Sequence, residues 1–281
     1  MKILIIGATG KLGTDICHAI EQKGWEYRGV GSAQLDITNP DCVNNYFSCE
    51  YQPDIVILAA AILGLEKLEN DPEKAYLVNS TAVRYVCEAC KQIDASLVFI
   101  STDFVFDGEA GRPYTENDIP NATNIYGKTK ILAEKFIQQI LDKYFILRVA
   151  WLFSDKGNDY LDTVTKAVLN CAEFPAIMER RACPTYTKDI ADRICEFIVS
   201  DKYGIYNVVN EGGCSQEELC LEVERLLNKT ITLTPQVLEA DSVPRPRDTR
   251  LCTKKMRSAG FTAMPSWQDA VARCLKNRGF I

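Results

Sequence analysis

The chain reads as an α/β protein built on a doubly wound parallel sheet, with a smaller C-terminal portion. Three observations predict this. Strand and helix patterns alternate through the first half, several strand runs are continuously apolar, as in strands covered on both faces, and a glycine-rich turn ends the first run. In order, Lys2 to Ile6 reads as a strand, Thr14 to Lys23 as a helix and Glu26 to Gly31 as a second strand. A helix from Asp41 to Cys49, a strand from Asp54 to Ala60 and a long helix from Pro72 to Ile93 follow. Then come a strand from Leu97 to Ser101, a helix from Tyr126 to Leu141 and a strand from Tyr144 to Trp151. Beyond Trp151 the pattern is less regular: helices are expected over Tyr160 to Cys171, Lys188 to Ser200 and Gln216 to Leu227, with a strand-like run from Gly204 to Val209. Pro235, Pro244 and Pro246 mark Pro235 to Arg250 as loop.

Composition narrows the partners. With 281 residues, 47% of them hydrophobic and 25% charged, the chain is an ordinary globular protein able to bury a substantial core. A formal charge of -6 gives no basic footprint, so nucleic acid is not expected as a partner. The N-terminal run Met1 to Ile6 is too short for a signal peptide. No stretch approaches the roughly 20 apolar residues that span a bilayer, and the reading is cytoplasmic with no membrane partner. Twelve cysteines are scattered through apparent helices, which suits reduced thiols. Cys87-Glu-Ala-Cys90 has metal-like spacing but lies within one helix, and the single histidine, His18, lies on another, so no metal site is expected. A Ser-His-Asp hydrolase would need that one histidine, and nothing near it suggests such a site.

The motifs carry the chemistry. Gly7-x-x-Gly10-x-x-Gly13 follows a strand and opens a helix, the context a dinucleotide fingerprint requires. Glycine lets the backbone approach a pyrophosphate, and the helix N-terminus supplies free amides, so Gly7, Thr9, Gly10, Lys11, Leu12 and Gly13 are cofactor candidates in a Rossmann-like arrangement. Residues 1–152 then form the dinucleotide-binding domain, to which segments near 185–210 return, and residues 153–281 supply mainly the substrate-binding portion. An acid that reads the ribose should end the second strand, but Gly31-Ser32 stands there. That absence, with Lys11 in the turn, favours NADPH over NADH. Asp36 and Ile37 can approach the adenine end, or Asp36 is simply a turn residue. Ala59, Ala60 and Ala61 end the third strand with side chains small enough for a cofactor to lie against the backbone. Ser101-Thr102-Asp103 ends the fourth, where side chains face the binding crevice. Tyr126 and Lys130 lie four apart on one helix face. A cation beside the phenol lowers the tyrosine pKa from its ordinary value of about 10, which makes Tyr126 a general acid for carbonyl reduction.

These motifs resemble those of the extended short-chain dehydrogenases/reductases and, within them, the dTDP-4-dehydrorhamnose reductases. Phe99-Ile-Ser-Thr-Asp-Phe-Val-Phe-Asp-Gly108 is similar to the strand-four signature and Asn124-Ile-Tyr-Gly-Lys-Thr-Lys130 to the catalytic helix. Glu69-Asn-Asp-Pro-Glu73, Asn79, Arg148-Val-Ala-Trp151, Gly157-Asn158, Pro184-Thr185 and Arg245-Pro246 also fall where family members carry similar residues. The resemblance implies that Tyr126 is the proton donor, that Lys130 holds the nicotinamide ribose and tunes Tyr126, and that Thr102 adjusts its acidity. It implies substrate contacts from Thr102, Asp103 and Trp151, diphosphate contacts from Arg245 and Arg247, a nucleotide-sugar substrate and a homodimer. Where the family carries Arg-Thr-Ser-Trp, this chain has Arg148-Val-Ala-Trp151, which puts the identity of the sugar in doubt. The regulatory subunit of methionine adenosyltransferase resembles the same family, so a non-catalytic NADP-binding subunit is one alternative. A nucleotide-sugar epimerase is another.

Overall fold

A run such as Ile3 to Ile6 buries both its faces only between two layers. In the computed structural model, which describes residues 1–236 and 243–281, it lies within a six-stranded sheet of order β10-β5-β4-β3-β1-β2, every pairing parallel. The first half of the chain runs β1 (Lys2–Ile6), α1 (Lys11–Gln22), β2 (Glu26–Val30), α2 (Pro40–Asn45), β3 (Ile55–Leu58), α3 (Leu65–Asn70), α4 (Pro72–Tyr76), α5 (Ala82–Gln92), β4 (Ser96–Thr102), α6 (Ile125–Ile140) and β5 (Tyr144–Val149). Leu4 and Ile6 face one core with residues of α2, α5 and α6; Ile3 and Ile5 face a second with residues of α1 and later helices. Chain order reverses between β1 and β3, which puts the switch point of the sheet, and its ligand crevice, at their carboxyl ends.

The second half runs β6 (Leu152–Phe153), α7 (Tyr160–Leu169), β7 (Glu173–Ala176), β8 (Arg181–Ala182), β9 (Thr185–Tyr186), α8 (Thr187–Phe197), β10 (Gly204–Asn207), β11 (Cys214–Ser215), α9 (Gln216–Leu227), β12 (Thr232–Pro235), α10 (Lys254–Ser258) and α11 (Trp267–Asn277). Its strands form three two-stranded pairs, β11-β8, β12-β7 and β6-β9, over a separate core that includes Phe153, Val164, Tyr186, Val223 and Val271. Two pieces go back to the large sheet. β10 extends it beside β5, and α8 contributes Ile190 and Ile194 to the core shared with α1.

Several boundaries differ from the pattern, each for a local reason. α1 starts at Lys11, three residues early, because Gly10 is extended (φ -70, ψ 170) and the helix begins at once. The long helix expected over Pro72 to Ile93 is interrupted by a π turn at Leu77–Thr81, which turns buried Asn79 and Ser80 towards the site. The fifth strand stops at Val149 because Trp151 takes φ +39, a left-handed conformation unusual for a bulky residue. α3 and α11 carried no recognised signal, although Ser266 caps α11 by accepting from Asp269 N. Within the loop expected over Pro235 to Arg250, Pro235 closes β12, residues 243–247 are irregular, and residues 237–242 lie outside the described residues. Cys87 and Cys90 are buried on α5, and burial pushes both thiols up. Among the described residues no helix is long and apolar enough to cross a membrane.

Candidate active site

Most of the candidate residues sit near the carboxyl end of a strand or in the first turns of the helix that follows. Gly7 has φ +91, and a Cβ on it would meet Ala60 N at 2.7 Å, so the turn after β1 lies directly on the Ala59–Ala61 segment after β3. Gly13 packs as closely on the Gly7 carbonyl. No side chain caps α1, which leaves the first amides of a 12-residue helix free at the crevice. This cradle fits a dinucleotide pyrophosphate, with the amides of Lys11, Leu12 and Gly13 as its donors. Thr9 is exposed beside Gly31.

Two cofactor candidates also make contacts within the chain. Lys11 Nζ donates to the Asn158 carbonyl, which ties α1 to the loop before α7. Asp36 Oδ1 accepts from Thr38 N at 2.9 Å and Thr38 Oγ1 at 2.6 Å, and these bonds hold its carboxyl below the usual range. It is the turn before α2, and Ile37 beside it is core.

The catalytic helix is fixed by its own N-terminus. Asn124 caps α6 by accepting from Gly127 N at 2.9 Å, and its amide donates to Pro244 O at 3.0 Å. Glu69 accepts from Ile125 N at 2.7 Å. Gly127 approaches β4 so closely that a Cβ would stand 2.0 Å from Phe104 O. The contact brings half-buried Tyr126 against Phe104, edge to face at 6.1 Å, with Thr102 at the end of β4 in hydrogen-bonding reach of the phenol. The helix is also held from the side, where Ser80 Oγ donates to Thr129 O and Asn79 clamps both backbone groups of Ile62.

The electrostatics correct one expectation. Burial pushes the Tyr126 phenol up to about 12, opposed by the Thr102 hydrogen bond and assisted by the Asp103 charge. Lys130 is buried with Nζ 4.0 Å from the Phe99 ring centroid. Burial pulls it down to about 7, against the pull of Glu134. An amine half neutral near pH 7 and turned onto Phe99 does not acidify the phenol as the four-residue spacing suggested. Desolvation outweighs the Thr102 hydrogen bond at Tyr126 and the Glu134 charge at Lys130. Thr102 is also held from behind: its hydroxyl lies 3.1 Å from Asp103 Oδ1, to which it can donate, and accepts from Phe104 N at 3.2 Å. Asp103 is fully buried and accepts from Thr249 Oγ1 at 2.5 Å; burial raises its pKa. It backs Thr102 rather than lining the cavity.

One turn beyond Lys130, buried Glu134 accepts from Ser101 Oγ at 2.6 Å and from Arg148 Nε and Nη2 at 3.1 and 2.7 Å. This fork ties α6 to β4 and β5. Its sequence signal was Glu134 as the next member of the series Tyr126, Lys130. Trp151 stands beside Tyr160, with ring centroids 6.1 Å apart, and its Nε1 is buried with no acceptor among the described residues. Next to it a cavity of about 430 Å³ is lined by Met178, Arg180, Gln236, Arg245 and Arg247. Arg180 carried no sequence signal; the turn before β8 brings it there.

The description of the RmlD substrate binding domain matches residues 1–279. The chain belongs to the RmlD family. It is 31% identical to the spore coat polysaccharide biosynthesis protein SpsK of Bacillus subtilis over 280 residues, 99% of this chain and 98% of that one. Among solved structures, the dTDP-4-dehydrorhamnose reductase of Bacillus anthracis in complex with NADP matches with TM-score 0.92 and 30% identity, covering 98% of this chain and 97% of that one. That of Clostridium acetobutylicum matches with TM-score 0.93 and 33% identity, covering 98% and 99%. This RmlD-family protein is thus matched along nearly its whole length, and it is an NAD(P)H-dependent oxidoreductase with a six-stranded Rossmann-like sheet.

Proposed function

We propose that this protein reduces the 4-keto group of a nucleotide-activated 6-deoxyhexose, dTDP-4-dehydrorhamnose giving dTDP-L-rhamnose, at the expense of NADPH. The observation that carries the reading is the approach of Tyr126 to Thr102 at the carboxyl end of β4, with Lys130 one turn further along α6, in a chain whose β1 and β3 ends form a dinucleotide cradle. NADPH supplies the hydride to C4 when bound. Tyr126 Oη gives its proton to the keto oxygen, so that carbon and oxygen each gain one hydrogen and the carbonyl becomes a hydroxyl. Lys130 is suited to hold the nicotinamide ribose, and Asp103 keeps the Thr102 hydroxyl directed. Trp151 offers its ring to the pyranose, and Arg245 with Arg247 attracts the diphosphate.

The choice of NADPH rests on Gly31-Ser32 after β2, where a carboxylate would repel a 2′-phosphate. The same reading places a homodimer in the cytoplasm, with no nucleic acid or membrane partner, and sedimentation of the purified protein tests the dimer. The deciding assay follows NADPH oxidation on addition of dTDP-4-dehydrorhamnose. Turnover with added reductant supports the reductase. NADP(H) binding without turnover would make the chain a binding subunit, and interconversion of sugars without added reductant would make it an epimerase.

A further inference from the structure

The three arginines of the cavity are not equivalent. Arg245 is engaged by Glu66, and Arg247 lies 3.7 Å from Glu179 with both side chains about three-quarters exposed. Water and a carboxylate already answer these two charges. Arg180 has no carboxylate within salt-bridge distance among the described residues. Its guanidinium lies 5.3 Å from the Phe104 ring centroid and 5.3 Å from that of Trp151, held between two aromatic faces. Among the described residues its Nε is enclosed without an acceptor, as are the neighbouring Trp151 Nε1 and Arg245 Nε. Folded proteins leave few buried donors unpaired, and one on Arg180, which lines the cavity, points to an acceptor supplied by a ligand.

We propose that Arg180 is the specificity-determining anchor for the diphosphate of the sugar nucleotide, and that it, rather than Arg245 or Arg247, sets where the pyranose stops against Tyr126. The inference rests on the reductase reading above. Phe104 is shared: one side meets the Arg180 guanidinium and its ring meets Tyr126 edge to face. An anion held at Arg180 therefore places the next ring of the ligand beside the proton donor. The planar fork suits phosphate oxygens, and its desolvated setting makes each charge-assisted bond stronger than at the exposed Arg247. Burial pushes the Arg180 pKa down, the Asp103 charge opposes it and the adjacent Arg245 charge adds to it, so an incoming phosphate offsets the repulsion between the two arginines.

Calorimetric titration of the full-length protein with dTDP and with dTMP tests this, because only dTDP carries the second phosphate. Arg180→Met keeps an apolar stem between the rings and removes the fork. It is expected to weaken dTDP binding at least ten-fold, dTMP less than two-fold and NADPH not at all, and to raise KM for the keto sugar. Arg180→Lys is expected to recover part of the dTDP loss, and Arg247→Met to cost less than three-fold. If wild type turns over the keto sugar while Arg180→Met binds dTDP as wild type does, the anchor is refuted and the reductase stands. Equal losses of dTDP, dTMP and NADPH in both Arg180 variants mark a structural residue and also refute it. A wild-type protein that binds NADPH but neither dTDP nor the keto sugar overturns the reductase reading and the anchor with it.

Discussion

The wall of the cleft that faces the cofactor cradle and the wall that faces the sugar cavity are built from different materials. On the first, backbone meets backbone: Gly7 against Ala60, Gly127 against Phe104, and α6 locked to β4 and β5 by the Glu134–Arg148 fork. On the second, short strand pairs and an irregular segment present polar side chains, and Trp151 Nε1 and Arg180 Nε lack acceptors among the described residues. A wall that must receive the same cofactor at every turnover is fixed by close backbone packing and offers the ligand the free amides of α1. A wall that reads a particular sugar leaves part of its hydrogen bonding to the ligand.

The sharpest way to break this contrast is at the proton donor. Tyr126→Phe is expected to lower kcat by roughly 10²- to 10⁴-fold with NADPH binding kept, measured by steady-state kinetics and fluorescence titration; unchanged kcat would move the acid to another group. Next, Arg148→Met leaves Glu134 as an uncompensated buried charge and should destabilise the fold by about 3–5 kcal/mol in denaturant titration, since both side chains are only 2% and 3% exposed. A loss near zero would mean that the rigid wall does not depend on the fork. Gly7→Ala forces a positive φ and a backbone collision together, so about 1–3 kcal/mol of stability and most NADPH affinity should go, with dTDP affinity spared.

Lys130 gives a pH signature. Its folded pKa is lowered to about 7, below the unfolded value of roughly 10.4. The unfolded chain therefore binds more protons between those values, and stability rises with pH there by at most about 1.4 kcal/mol per pH unit. Lys130→Met should lose that slope, and an identical slope in both proteins would remove the claim that desolvation governs the lysine. The smallest effect is expected on the other wall, where Arg247→Ala should change stability by less than roughly 0.5 kcal/mol, because the Arg247–Glu179 pair is open to water.

How far each wall could be read beforehand follows from how it is built. The cofactor side was legible because its devices are local: a glycine turn after an apolar run, small residues at the end of a strand, and Tyr126 and Lys130 one turn apart. β1 and α9 matched their expected bounds. The sugar side was less legible, since Arg180 reaches Trp151 and Phe104 from a turn remote in the chain, and Thr249 reaches Asp103 across 146 residues. Trp151 was named, but not the left-handed backbone that presents it.

The sequence by itself determined the layered fold and the glycine turn after β1 and singled out Thr102, Tyr126 and Lys130 as a candidate trio, because periodicity, turn chemistry and helical spacing are properties of neighbours in the chain. Only the tertiary structure decided the charge state of that trio and the reach of Arg180. Desolvation and long-range pairing depend on what packs around a group, so Lys130 could be placed beside Tyr126 by counting residues while the sign of its pKa shift could not.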